Sequence, residues 1–505
     1  MVKVIRTEHL APNNIYEGVS LPHTHGEWIY NGLDCCLTHE IFDTIEPQLD
    51  EHTRATYEFS KSLQAPILEM NMRGVKIDEP ARQALITHYE ADIRRLESQL
   101  RTILAEGLGI AGFNWNSPAQ LISLFYTTLS IPPITKRNDK GAYVPTVNRE
   151  ALEKLRNYFH AKPIVAHILK LRDLGKRVGT LRTEIDNDSR IRTSYNIAGT
   201  TTGRLSSSFN DFGSGTNLQN IEQRLRRIFI SDPGYKFANI DLSAGDSRGV
   251  AGILWNLFKS DAYLNACNSG DLHTAVCRLA WRDLPWTGDA ANDRAIADQP
   301  AYRSMSYRDL AKRLGHGTNY MGSPHTMARH SKMEVSLIQD FQYRYFKAFP
   351  LQEWHAWVRS ELLTKGYLFN LFGRKRWFFG RRNDDATARE AVAYAPQSTT
   401  ADAIDRGLLN VWRRNNCQVL LQVHDSVLVQ YPEEAEDEVL PVLLALIEEP
   451  IPLLHGRDLI IPAEAKVGWN WADVTKDNPD GLVKYKGHDE RVRTNQAVNF
   501  LDRRL

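Results

Sequence analysis

Two aspartates sit where apolar strands end, and that placement constrains the chain more than any other feature. Asp241 follows FANI in YKFANIDLSAG, and Asp425 lies in QVLLQVHDSVLVQYP. The first run alternates and then turns apolar; the second reads as two short strands around a turn at His424 and Asp425. A carboxylate beside apolar strand is costly to bury unless it is paired or faces a cation. Two of them brought together by a sheet suit two divalent ions, since Mg²⁺ takes a few carboxylate oxygens plus water and phosphates. Such a pair of ions serves in-line phosphoryl transfer. For either aspartate alone, capping a turn is the commoner role.

The rest of the chain is ordinary globular material. Its 505 residues predict about three domains, and 62 Lys+Arg against 61 Asp+Glu leave a net charge of +1. With 42% hydrophobic and 24% charged residues, disordered, collagen-like and coiled-coil chains are excluded. No run of about 18 apolar residues exists, so no membrane-spanning helix is expected. The N-terminus lacks a secretory core, which predicts an intracellular, soluble protein. The five cysteines form no C-x-x-C pair and read as reduced thiols. Near-zero net charge still permits a nucleic-acid partner, provided acids elsewhere balance a basic groove.

Helical periodicity covers 51–110 with a stop at Arg73-Gly74, then Asn148 to Arg177, with Ser117-Pro118 opening a helix between them. TKRNDKGAY, Thr135–Tyr143, reads as an exposed loop. After Arg190, RTSYNIAGTTTGRLSS reads as strand and turn, and FNDFGSGTNLQNI as a loop. Helices are expected from Ser243 towards Trp286, then from about Tyr302 to Tyr320, with 286–300 as a connection. Further helices are expected at 334–347, 353–364, 387–415 and 433–447, before a last strand in LIIPAEAKVGWNWADV.

Two more groups carry chemistry. Arg308, Lys312, His316 and Tyr320 recur every fourth residue, so they start on one helix face and drift slowly around it. Two cations one turn apart suit a triphosphate, and the following ring residues suit a base and sugar. A solvated basic stripe is the bland alternative. The other group is TTGRLSS with NLQNI. Arg204 in a Gly/Ser-rich turn and the amides of Asn217, Gln219 and Asn220 suit phosphates and minor-groove base edges. Two polar loops are the bland alternative there.

In this order the pieces resemble the family A DNA polymerases, the group of bacterial DNA polymerase I and the phage and organellar replicases. DLSAGDSR (241–248) is similar to motif A, YRDLAKRLGHGTNYMG (307–322) to motif B and VHDSV (423–427) to motif C. The resemblance covers roughly 27–473 and implies roles. Asp241, Asp425 and the backbone carbonyl of Leu242 would hold two Mg²⁺ ions. Arg308, Lys312 and His273, the last in the D-x-H element at Asp271, would neutralise the triphosphate. His316, Tyr320, Asp246 and Ser243 would line the nucleotide site. Arg204, Asn217, Gln219, Asn220, Arg389, Gln397 and His424 would contact DNA. FNWNSPAQL and ILKLRDLGKRVGT resemble the thumb.

The implied fold is α+β, a right hand with helical fingers and an antiparallel palm. Its expected parts are a remnant and linker at 1–50, a thumb at 51–190, a palm at 191–265 and 391–473, fingers at 266–390 and an extension at 474–505. That extension holds seven Lys/Arg and five Asp/Glu and is read as a partner or DNA contact. The implied activity is template-directed addition of dNTPs to a primer 3′-OH on primer–template DNA. The rivals are a single-subunit RNA polymerase of the same fold and a catalytically inactive replisome scaffold.

Departures from the pattern are specific. Asp246 stands where the family usually has Glu, His316 where it has Phe or Tyr, Ser426 where Glu follows the motif C Asp, and Ala393 where Asn is common. These variants suggest a phage-type enzyme. EWIYNGLDCCLTHEIF resembles only the end of a 3′–5′ exonuclease domain, with Tyr30 and Asp34 in its Y-x-x-x-D motif. The expectation is a polymerase without its own proofreading. A separate exonuclease or replisome chain is left open as a partner, against a vestigial helix kept for packing.

Overall fold

A computed structural model describes residues 23–209 and 215–487. The beginning of the expected remnant, part of the 209–221 loop and the end of the expected extension lie outside these residues. The chain divides into two compact units. One is the segment up to Lys61 together with Gly373–Lys375; the other runs over Ser62–Phe372 and from Arg376 onward. The first holds the helices His23–Ile45 and Glu51–Ser62. Among the described residues no helix is long and apolar enough to cross a membrane, and the five cysteines are free.

An antiparallel five-stranded sheet organises the larger unit. Its order is Gln418–Val423, Ser426–Pro432, Tyr235–Leu242, Ala463–Gly468 and Val483–Lys484. The strand SVLVQYP is buried at six of its seven positions, which explains a continuous apolar run where a half-exposed strand would alternate. A hairpin joins it to Gln418–Val423 through a turn whose His424 adopts φ 60°. On the other side of the central strand lies AEAKVG, whose alternating burial leaves Glu464 and Lys466 on the open face.

Two helices hold the sheet's working end. Gly245–Phe258 follows the central strand directly, starting from Ala244 in the left-handed region. Asp385–Arg414 is thirty residues long, with Pro396 in its interior. They approach so closely that a side chain on the first would collide with the second. A Cβ at Gly249 would stand 3.1 Å from the Pro396 Cα, and one at Gly245 would stand 2.7 Å from a Thr400 methyl. Gly249→Ala therefore forces backbone apart and is expected to lower unfolding stability by about 1–3 kcal/mol. A urea melt with an unchanged midpoint would show that the helices separate without cost.

The segment expected to form the thumb packs a thirty-residue helix, Glu79–Leu108, on Lys162–Leu181. Asp78 caps the first of these and Ser117 caps Pro118–Ile122, where Ser-Pro predicted a start. Thr135–Tyr143 is not a plain loop. Thr135–Arg137 pairs with Tyr143–Pro145 as an exposed hairpin, which its polar strands concealed.

The segment expected to form the fingers also departs from expectation. The helix expected from Tyr302 begins at Tyr307 and ends at Asn319. Pro300–Tyr302 and Met305–Ser306 precede it as a small hairpin. Ser306 and Asp309 close a capping box, each side chain accepting the other residue's backbone N–H. Inside the stretch read as a connection lies a two-turn helix, Ala290–Ala297, capped by Asp289. The far end of Tyr307–Asn319 is fastened by a buried polar network. Asn319 donates to the Tyr263 hydroxyl (2.9 Å) and accepts from Tyr345 (3.1 Å), and its carbonyl meets His355 Nε2 (2.9 Å). Such a satisfied network fixes one orientation of the helix.

Candidate active site

Register brings the two aspartates together. Asp241 pairs with Ser426 on one side and with Glu464 on the other. The Leu242 N–H donates to the Asp425 backbone carbonyl at 3.0 Å, and the Ser243 N–H to Pro462 O at 2.7 Å. These bonds place Asp425, in the hairpin turn, beside the end of the central strand. The Asp241 carboxyl is pushed up to about 7. Desolvation is the largest cause, followed by the negative charges of Asp425 and Glu464, with Lys466 opposing. Two acids crowded in this way, only partly offset by Lys466, are what a cation would relieve. Ser426 turns away, its hydroxyl donating to Val423 O at 3.0 Å.

Glu464 was not anticipated. It reaches the site by strand register alone, and its Oε2 is held 3.0 Å from Lys484 Nζ. The usable signal was the alternation A-E-A-K, which puts Glu464 and Lys466 on one face. Among the described residues no group of three or more acid, histidine or cysteine side chains stands at metal-ligand spacing.

Arg308 and Lys312 lie on Tyr307–Asn319 as expected, but their states differ. Arg308 donates Nε and Nη2 to Asp271 at 2.8 and 2.9 Å. Asp271 also caps Leu272–Ala280 through Thr274 N. Burial alone would raise this carboxyl; hydrogen bonds from Arg308 and Thr274 hold it well below the usual range instead. Lys312 is exposed and makes no hydrogen bond or ion pair among the described residues. His273 is pushed down to about 4, first by burial and then by Arg308, Lys312 and Arg294, against the pull of Asp271. It is neutral near pH 7 in the free protein. In that state His273 offers a hydrogen bond and not a charge.

The residues expected on the sugar side also converge. The Tyr320 hydroxyl donates to Asp246 Oδ2 at 3.2 Å, and His316 meets the Tyr320 ring edge-on at 4.7 Å. Arg204 Nη2 lies 3.6 Å from Asp246 Oδ1, a buried atom without a hydrogen bond. Arg204 thus joins motif A to the TTGRLSS turn, across 42 residues of sequence.

The other expected DNA contacts are spread out. Asn217 accepts from Ser207 at 2.7 Å, whereas Asn220, Arg389 and His424 are exposed and Gln397 is half-buried on the long helix. Gln219 is buried. Its amide nitrogen donates to Leu205 O (3.1 Å) and Gln422 Oε1 (2.9 Å), so it ties the loop to the sheet.

The sequence pattern of DNA polymerase family A matches residues 81–473. The chain is 28% identical over 492 residues to the thermostable DNA polymerase I of Thermus filiformis, covering 93% of this chain and 54% of that protein. For Thermus aquaticus the figures are 29% over 489 residues, 91% and 53%. The chain spans about half the length of these curated relatives. A solved structure of the POL domain of Pol1 from M. smegmatis, in complex with DNA primer-template and dNTP, superposes with a TM-score of 0.66 at 24% identity. It covers 81% of this chain and 69% of that one, and so shares the fold. These relatives are bacterial, so the phage-type reading rests on the variant motifs alone. A right-hand α+β fold with two aspartates at the end of its central sheet, matched over most of its length, places the chain in DNA polymerase family A.

Proposed function

We propose that this chain is a DNA-directed DNA polymerase that adds dNTPs to a primer 3′-OH, without proofreading by these residues themselves. The observation that carries the reading is the Asp241–Asp425 pair, brought together by register and crowded enough to raise one carboxyl to about 7. Asp241, Asp425 and the Leu242 carbonyl would hold Mg²⁺, the reading being two ions. When bound, Mg²⁺ would lower the pKa of the attacking 3′-OH and neutralise the leaving pyrophosphate. The protein's own part is positioning and charge. Lys312 and Arg308 would meet the β- and γ-phosphates where charge develops. His273 would donate a hydrogen bond there. Arg204, Asn217, Asn220, Arg389, Gln397 and His424 would follow primer–template shape, with Gln219 supporting them from inside. Primer extension with Mg²⁺ and dNTPs on a primed template tests the reading. No extension by folded protein that binds the duplex would favour the scaffold alternative.

Sugar choice separates this reading from an RNA polymerase. Asp246 is one methylene shorter than Glu, and a steric gate loses much of its force over a gap of about 1 Å. Ribonucleotides should therefore be excluded, but less strongly than by a Glu-bearing relative. Asp246→Glu is expected to raise the dNTP/rNTP efficiency ratio and Asp246→Ala to lower it. His316→Phe should reduce dideoxynucleotide acceptance, because the hydrogen-bond donor near the 3′ side is lost. If none of these ratios moves, the side chains do not line the sugar pocket.

A further inference from the structure

The two-turn helix Ala290–Ala297 carries Arg294 to the triphosphate-side cluster, where Nη1 lies 3.5 Å from Asp271 Oδ2. That same oxygen accepts from Arg308 Nε at 2.8 Å. One carboxylate therefore serves two arginines. The Asp271 and Arg308 side chains are only 22% and 23% exposed, whereas Arg294 is 45% exposed and also donates through Nε to Asp298 at 2.7 Å. Arg308 is the more enclosed partner and Arg294 the outer one.

In this arrangement Asp271 occupies Nε and Nη2 of Arg308, one of the two edges a bidentate phosphate contact can use. A triphosphate that takes this edge of Arg308 displaces Asp271. Withdrawing the only counter-ion from a largely buried carboxylate is strongly unfavourable. With Arg294 already beside it, the carboxylate keeps a partner. We propose that Arg294 is a positioning residue: it is the standby counter-ion of Asp271 that lets Arg308 pass from carboxylate to nucleotide phosphate. This rests on the polymerase reading above, and concerns how that same site accepts dNTP.

The test measures dNTP affinity on a primer–template ended with a dideoxynucleotide, together with kcat and KM on an extendable primer. Arg294→Ala is expected to weaken dNTP binding about tenfold with kcat nearly unchanged, a value below that of a fully buried pair because Arg294 is partly exposed. Arg294→Lys, which keeps the charge, should hold affinity within about threefold of wild type. In an Asp271→Asn background the neutral cap of Leu272–Ala280 survives, and Arg294→Ala should then have little effect. Lys312→Ala is the reference, because it removes a phosphate partner that does not involve Asp271. Normal dNTP affinity in Arg294→Ala beside a weakened Lys312→Ala would overturn the proposal and leave the polymerase reading standing. An undiminished loss in the Asp271→Asn background would overturn it in favour of a direct phosphate contact. A lysine variant as weak as the alanine variant would also overturn it. If Lys312→Ala binds dNTP normally as well, the phosphate reading fails and the proposal with it.

Discussion

Asp241→Asn and Asp425→Asn are each expected to reduce single-turnover extension by about 10³-fold or more, the scale on which metal and oxyanion stabilisation act in such sites. Asparagine keeps the size and most hydrogen bonds of aspartate, so the strand register and the Leu242-to-Asp425 backbone bond should survive. What disappears is half of the negative charge that would hold the cations. Primer–template affinity, set by basic and amide groups elsewhere, should change little at fixed salt. Stability gives an independent check with a definite sign. The Asp241 carboxyl, although exposed at the strand end, is raised to about 7 in the folded chain by local desolvation and by the charges of Asp425 and Glu464. A raised carboxyl costs folding free energy above that pH and none below its unfolded value. Without added metal near pH 8, Asp241→Asn should therefore melt no lower than wild type. Near-normal extension by either variant, or duplex binding lost in parallel with activity, would remove the two-aspartate reading.

The features legible in the sequence were those written in local chemistry. Apolar runs with an acid at the end predicted both strands and the turn at His424. Helical periodicity predicted the helix that carries Arg308, Lys312 and His316, with Tyr320 just past its end. The helix's true start was also written locally, since Ser306 and Asp309 form a recognisable capping box, yet periodicity alone drew it back to Tyr302. Other features depended on partners far away in the chain. Gln219 reads as a surface amide until Gln422, 203 residues later, is folded against it. Glu464 reads as a solvated strand residue until register sets it opposite Asp241. Arg294 was missed because Ala290–Ala297 is only two turns long in a polar stretch, below what hydrophobic periodicity can detect. Protonation was equally hidden: His273 is neutral because burial and three nearby cations act together, which no motif encodes.

Lys312→Ala is expected to lower the rate of incorporation about 10²–10³-fold and to raise the dNTP requirement, the usual consequence of removing one donor from a preorganised charge-stabilising site. The cations near this position differ in how far each is already engaged. Arg308 is held by Asp271 at two points. Arg294 is shared between Asp271 and Asp298. His273, pushed down to about 4, brings no charge near neutral pH. Lys312 stands one turn beyond Arg308, exposed and without an ion pair among the described residues. It is the cation that can meet a triphosphate without first giving up a protein partner. Its loss should therefore be felt more than that of a cation whose charge is already compensated, and Arg308→Ala should be milder in dNTP binding than its position on the helix suggests. Lys312→Arg keeps the charge but replaces a compact ammonium with a planar fork, so partial recovery is expected. The decisive measurement separates dNTP affinity from primer–template affinity in pre-steady-state extension. Weakened duplex binding with normal nucleotide kinetics would mean that this helix face meets DNA, and Arg308 with its Asp271 counter-ion would then have to be read as structural.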